Sequence, residues 1–267
     1  MADVKFEELV AVMHELRAKC PWDQEQTFQS LRQYIIEEAY EVVDTIDHLT
    51  GQNDLSAHKL ADECGDLLFQ VVFLAELGQE KGWFKAADSI GLIRDKLVRR
   101  HPHVFGDVSA KTPDDVMRNW ENIKAGERKD KEGATSALDG VPKALPALVR
   151  AEKLAKRAAR AGFDWPHIEA VLAKVEEELG EVREALAKGD RADAARELGD
   201  LFFAGAQVAR FLDVNPEDVA RDAVAKFEAR FRHLEAAVAA QGKVPKDLDD
   251  AALDVLWEQA KAALRTK

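Results

Sequence analysis

Apolar residues recur along most of the chain at three- and four-residue steps, the spacing of a helix with one buried face. The clearest run is Leu60, Cys64, Leu67, Leu68, Val71, Val72 and Ala75. Residues 30–48, 86–100, 146–160, 168–188, 191–211, 216–240 and 249–264 carry the same pattern. No segment alternates apolar and polar residues between hairpin turns, as a half-buried strand would. The pattern predicts an all-α fold.

Punctuation marks the helix ends. Thr112-Pro113-Asp114-Asp115 and Asn215-Pro216-Glu217-Asp218 each place a capping residue, a proline and two acids in the order of a helix start. Gly162 follows a basic helix tail, where a terminating glycine belongs. From Asp130 to Pro146 glycine, proline and serine accumulate, predicting a linker over 130–145 between modules at 1–129 and 146–267.

The two modules repeat each other. Residues 63–75 and 197–209 share six of thirteen positions, far more than composition alone yields. Glu37-Glu38-Ala39-Tyr40-Glu41 matches Glu177-Glu178-Leu179-Gly180-Glu181 upstream. Downstream, Lys96 and Arg100 match Lys226 and Arg230, and Trp120 with Lys124 matches Trp257 with Lys261. The order is identical in both halves, which marks a duplicated helical module.

Within the repeat lies a carboxylate pattern. Glu38 and Glu41 share one helix face, as do Glu63 and Asp66 on the next helix; the second copy has Glu178, Glu181, Glu197 and Asp200. Antiparallel packing of each helix pair would bring four carboxylates together. Such a set needs a counter-charge, and an all-oxygen donor set suits Mg²⁺ or Mn²⁺ better than zinc. A lone ExxE is more often a solvated helix face; ordered repetition beside apolar stripes favours a metal. Gly65 and Gly199 interrupt these helices, predicting close approach of a partner helix or ligand.

The pairs Lys96/Arg100 and Lys226/Arg230 sit four apart, suited either to a polyphosphate or to a surface ion-pair face. Trp120 and Trp257 suit either a core or a stacked nucleobase. His101-Pro102-His103 lacks further zinc ligands at suitable spacing and reads as a turn. Phosphate-binding glycine loops and serine or cysteine catalytic sets are missing from the sequence.

Charge and composition narrow the partners. With 38 basic and 50 acidic residues the formal net charge is −12. That disfavours nucleic-acid binding, while a metal could still recruit an anionic substrate. No apolar run reaches bilayer-spanning length, and the N-terminus lacks a secretory signal pattern. Cys20 and Cys64 form no disulfide framework, which predicts a cytoplasmic setting.

Cys20-Pro21-Trp22-Asp23-Gln24-Glu25-Gln26-Thr27, the two acidic motifs, Gly65-Asp66-Leu67-Leu68-Phe69 and Arg99-Arg100-His101-Pro102-His103-Val104-Phe105 resemble the two-module MazG family over nearly the whole chain. The resemblance implies an all-α NTP pyrophosphatase fold and a homodimer. It implies Mg²⁺-dependent hydrolysis of nucleoside triphosphates to monophosphate and pyrophosphate, broad over ribo- and deoxynucleotides. The metal ligands it implies are Glu178, Glu181, Glu197 and Asp200. Nucleotide contacts fall at Lys174 to Glu178, Asp193 to Arg196, Asp200, Lys226 to Arg230 and Trp257. Glu178 or Glu177 is the candidate proton acceptor. Val224 stands where the family often has asparagine, and Tyr34 stands where the second copy has Lys174. With that difference, and a Gly-, Asn- and Ser-containing connection from Leu49 to Lys59, the C-terminal copy is expected to carry most turnover. The other readings are a narrow dUTPase-like hydrolase and a non-catalytic helical interaction protein.

Overall fold

A computed structural model describes residues 5–49, 54–129 and 136–265. The described residues form twelve α-helices and one short 3₁₀ turn, with no strand among them. The chain separates into two compact units, Met1–Ala125 and Gly126–Lys267.

The N-terminal unit contains α1 (Phe6–Lys19), α2 (Pro21–Glu25), α3 (Leu31–Asp47), α4 (Asp54–Glu80), α5 (Ala86–Arg100), α6 (Pro102–Phe105) and most of α7 (Pro113–Lys129). Its core is bulky. Met13 of α1, Leu31 of α3 and Val72, Phe73 and Leu77 of α4 are buried together, with Phe6, Leu9, Phe28, Tyr34 and Phe69 packed around them. Tyr34 meets Trp22 edge-on at 5.8 Å, and Trp83 stacks on Phe28 at 5.5 Å. Arg17 clamps this unit: its guanidinium donates to both Glu80 carboxylate oxygens, at 2.6 and 3.0 Å, and to the backbone carbonyls of Asp23 and Gln26. That pairing holds the Glu80 carboxyl below its ordinary range.

The C-terminal unit contains the end of α7 and then α8 (Ala147–Arg160), α9 (Ile168–Ala187), α10 (Arg191–Phe211), α11 (Pro216–Ala239), the 3₁₀ turn Pro245–Asp247 and α12 (Asp250–Ala263). Its buried positions are mostly small: Ala151, Ala155, Ala185, Ala194, Ala204, Ala206, Ala209 and Ala260, with Val171, Leu234 and Val238. The helices α9 and α10 pack on each other, and α8 and α11 pack against α10. Here too an arginine clamp closes the unit, Arg210 of α10 pairing with Asp164 ahead of α9.

The expected helix starts have their physical causes in place. The Thr112 hydroxyl accepts from the Asp115 amide at 3.2 Å, and the Asn215 side chain accepts from the Glu217 amide at 2.9 Å. Gly162 has φ +92°, the left-handed conformation of a helix-ending glycine. A Cβ at Gly65 or Gly199 would meet nothing within 4 Å among the described residues, so no helix of this chain packs closely on either glycine. One expectation differs from the structure. Residues 50–53 of the Leu49–Lys59 connection and 130–135 of the expected linker lie outside the described residues, but Asp54 to Lys59 already belong to α4. The N-terminal connection is therefore shorter than the residue types suggested, because the helix recruits its polar end.

Candidate functional site

Each unit presents one helix hairpin with a carboxylate cluster: α3 with α4, and α9 with α10. In the N-terminal unit, carboxylate oxygens of Glu38, Glu41 and Glu63 lie within 4.8 Å of one another. In the C-terminal unit the same holds for Glu178, Glu197 and Asp200. Neither cluster includes a histidine or cysteine. Three of the four expected carboxylates thus converge in each unit. The fourth stands beside its cluster: Asp66 acts electrostatically on Glu38, and Glu181 on Glu178. The spacing rule places i and i+3 on one face, but the helix packing decides which ends meet.

Burial and charge separate the two clusters. Glu178 is only 4% exposed, whereas Glu38 is half-buried. The Lys174 ammonium sits 2.6 Å from Glu178 Oε1 and 2.7 Å from Glu177 Oε1. These two partners push the Lys174 pKa far above its ordinary value. Burial, with repulsion from Glu178 and Glu197, raises the Glu181 carboxyl. Arg196 pairs with Asp193 and reaches Glu197 at 3.7 Å.

In the N-terminal cluster a neutral amide takes the lysine's role. Gln70 Nε2 donates to Glu38 Oε1 at 3.5 Å, while its buried Oε1 has no hydrogen-bond partner. Burial first, then Asp66 and Glu41, raise the Glu38 carboxyl. Burial and then Glu41 raise Glu63. Sequence comparison passed over Gln70 because the aligned residue in the second copy is the apolar Ala204. Its position one turn after Asp66, on the same face, was the available signal.

The remaining cationic and aromatic candidates lie on other helices. Lys226 is exposed and Arg230 half-buried on α11, with Phe227 between them; Phe227 meets Trp257 of α12 at 5.5 Å and stacks on Phe231 at 6.0 Å. The Arg230 Nε is buried without a partner. In the N-terminal unit Lys96 is exposed and Arg100 half-buried on α5, while the Trp120 ring is covered by the Lys124 ammonium 3.4 Å from its centroid. His101 Nδ1 bonds the Leu97 carbonyl at 2.6 Å where α5 gives way to α6, a turn as expected.

The oxygen-only clusters fit a hard divalent cation: close carboxylates of like charge are favourable neighbours only around a positive centre. Both hairpins also match a known sequence family. The sequence profile of the MazG nucleotide pyrophosphohydrolase domain matches residues 26–105 and 167–235, spanning both hairpins. The chain belongs to this family of hydrolases. It is 44% identical over 264 residues to the nucleoside triphosphate pyrophosphohydrolase of Escherichia coli (strain K12), covering 96% of this chain and 97% of that one. It is 40% identical over 267 residues to the nucleoside triphosphate pyrophosphohydrolase/pyrophosphatase MazG of Thermotoga maritima, covering 99% of each. A third relative, the nucleoside triphosphate pyrophosphohydrolase of Mycolicibacterium smegmatis, is 33% identical over 93% of this chain and 66% of its own. No helix among the described residues is long and apolar enough to cross a membrane.

Proposed function

We propose that this chain hydrolyses nucleoside triphosphates, ribo and deoxy alike, to monophosphate and pyrophosphate with Mg²⁺ or Mn²⁺. The observation that supports this reading is a three-carboxylate cluster on each of the two repeated hairpins, two of its three members (Glu38 and Glu63, Glu178 and Glu197) being repeat equivalents. In the C-terminal unit Glu178, Glu197 and Asp200, with Glu181 beside them, hold the cation; Glu38, Glu41, Glu63 and Asp66 are their counterparts. When bound, the metal neutralises the triphosphate and polarises its phosphoryl oxygens.

The remaining work falls to the chain's own groups. Lys226 and Arg230 bind phosphate oxygens, with Arg196 and Lys174 contributing further positive charge. Trp257, braced by Phe227, stacks on the base, which tolerates any base because each has a π-face. Glu177, exposed and one residue from the buried ligand Glu178, accepts the proton of the attacking water, with a Glu178 oxygen as the alternative acceptor. Lys96, Arg100 and Trp120 take the corresponding places in the N-terminal unit. The modules span 1–129 and 146–267, joined by 130–145.

The chain works as a homodimer in the cytoplasm, without nucleic acid or membrane. Leu68 on α4 and its repeat equivalent Phe202 on α10 are both exposed, as are Val71, Leu198 and Phe203; a second copy would cover these faces. Cys20 and Cys64 are free thiols, suited to a reducing compartment.

The test is incubation with each NTP and dNTP, with and without Mg²⁺, and identification of products. Monophosphate plus pyrophosphate is expected only with the metal. Diphosphate plus orthophosphate would overturn the reading, and turnover of dUTP alone would replace it with the narrow hydrolase.

A further inference from the structure

The two clusters differ in the partner that meets their repeat-equivalent glutamates, Glu178 and Glu38. Glu178 faces the ammonium of Lys174 at 2.6 Å, whereas Glu38 faces the amide of Gln70 at 3.5 Å. Tyr34, in the lysine's place, packs into the aromatic core against Trp22 and leaves no cation there. Lys59, exposed one turn before Glu63, acts on that acid only through space.

The order Lys then Glu at i,i+4 is the weaker arrangement on a helix. What holds this pair is the burial of Glu178, whose charge needs a close partner. A divalent cation at Glu178 would compete for the same carboxylate and repel the ammonium. The four-carbon lysine stem can turn, and the exposed Glu177 offers a second anchor at 2.7 Å, so giving way needs no backbone movement.

We infer that Lys174 is the resident counter-cation of the C-terminal cluster and must yield Glu178 to an entering divalent cation. Free metal therefore binds more tightly at the N-terminal cluster. The C-terminal cluster takes metal best together with a polyphosphate, whose anionic oxygens receive the displaced ammonium. This rests on the reading of both clusters as divalent-cation sites.

The test titrates Mn²⁺ into the metal-stripped full chain and follows free Mn²⁺ by its electron paramagnetic resonance signal, with no nucleotide present. Wild type is expected to bind in two affinity classes. Glu38→Gln/Glu41→Gln should delete the tighter class. Lys174→Met should tighten the weaker class by about tenfold, the scale of removing one adjacent like charge. Lys174→Gln should act in the same direction, and Lys174→Arg should keep the wild-type isotherm. If Lys174→Met and Lys174→Gln both leave the isotherm unchanged or weaken it, the inference is overturned. So it is if Glu38→Gln/Glu41→Gln deletes the weaker class. If wild type takes up no Mn²⁺, the underlying reading of the clusters fails instead.

Discussion

The N-terminal unit is built around Met13, Leu31, Phe73 and Leu77, the C-terminal unit around alanines at eight buried positions. The distance between packed helices is set by the side chains at their contact. The buried apolar residues of α10 are all alanines, α9 and α8 both pack on this helix, and Glu178 of α9 is buried. In the N-terminal unit bulk fills the space between helices, and Tyr34 joins that bulk. One duplicated sequence thus supports two kinds of interior: one packed with bulky apolar side chains, the other lined by alanines and burying a carboxylate of its cluster.

The comparison breaks most sharply on catalysis. If these acids hold the proposed cation, Glu178→Gln/Glu181→Gln should lower pyrophosphate release by at least about a hundredfold, the scale of losing several kcal/mol of transition-state stabilisation with a metal ligand. Glu38→Gln/Glu41→Gln should retain most turnover. The opposite ranking would assign the work to the N-terminal unit.

Core substitutions come next. Phe73→Ala should cost about 3–5 kcal/mol in urea denaturation, because a fully buried ring leaves a cavity. Ala206→Leu should cost about 1–3 kcal/mol by overpacking. A neutral Ala206→Leu would show that the alanine interior has slack.

Asp190 caps α10 by accepting from the Asp193 amide at 2.9 Å. Asp190→Ala should cost about 1 kcal/mol and lower metal affinity more than overall stability. A Mn²⁺ titration beside a melting curve would separate the two effects.

The smallest effect concerns the Arg17–Glu80 clamp. The Glu80 carboxyl lies below its ordinary value in the folded chain, so its contribution is fully present above about pH 4.5, the unfolded value, and fades as pH falls through the folded one. The stability gap between wild type and Glu80→Gln, modest for a partly exposed pair, should therefore close in acid. A gap that widened in acid would mean the clamp has another basis.

Much of this was legible in the residues. Period 3.6 located α3, α5 and α8 to α12 to within a residue or two, because each has a clear apolar stripe. The same spacing in Phe6, Leu9, Val10, Met13 and Leu16 marks α1, which the motif-led reading passed over beside the stronger repeat. The acidic pairs were visible as i,i+3 neighbours. Which three of each four converge was not, since that depends on how two helices roll against each other. The Phe227–Trp257 contact and the Gln70–Glu38 bond join residues 30 or more positions apart, beyond the reach of local spacing.

The turn between α9 and α10 carries a consequence for how this half of the chain can vary over evolution. Only Lys188, Gly189 and Asp190 separate the two helices, and Gly189 has φ +75°. Asp190 fixes where α10 begins, and Glu197 follows within two helical turns. A residue inserted between them would rotate Glu197 and Asp200 by about 100° around the helix axis and off the cluster. Length changes in this half should therefore be confined to segments outside the α9–α10 hairpin, while side chains within it stay free to drift so long as the count from cap to carboxylate is kept.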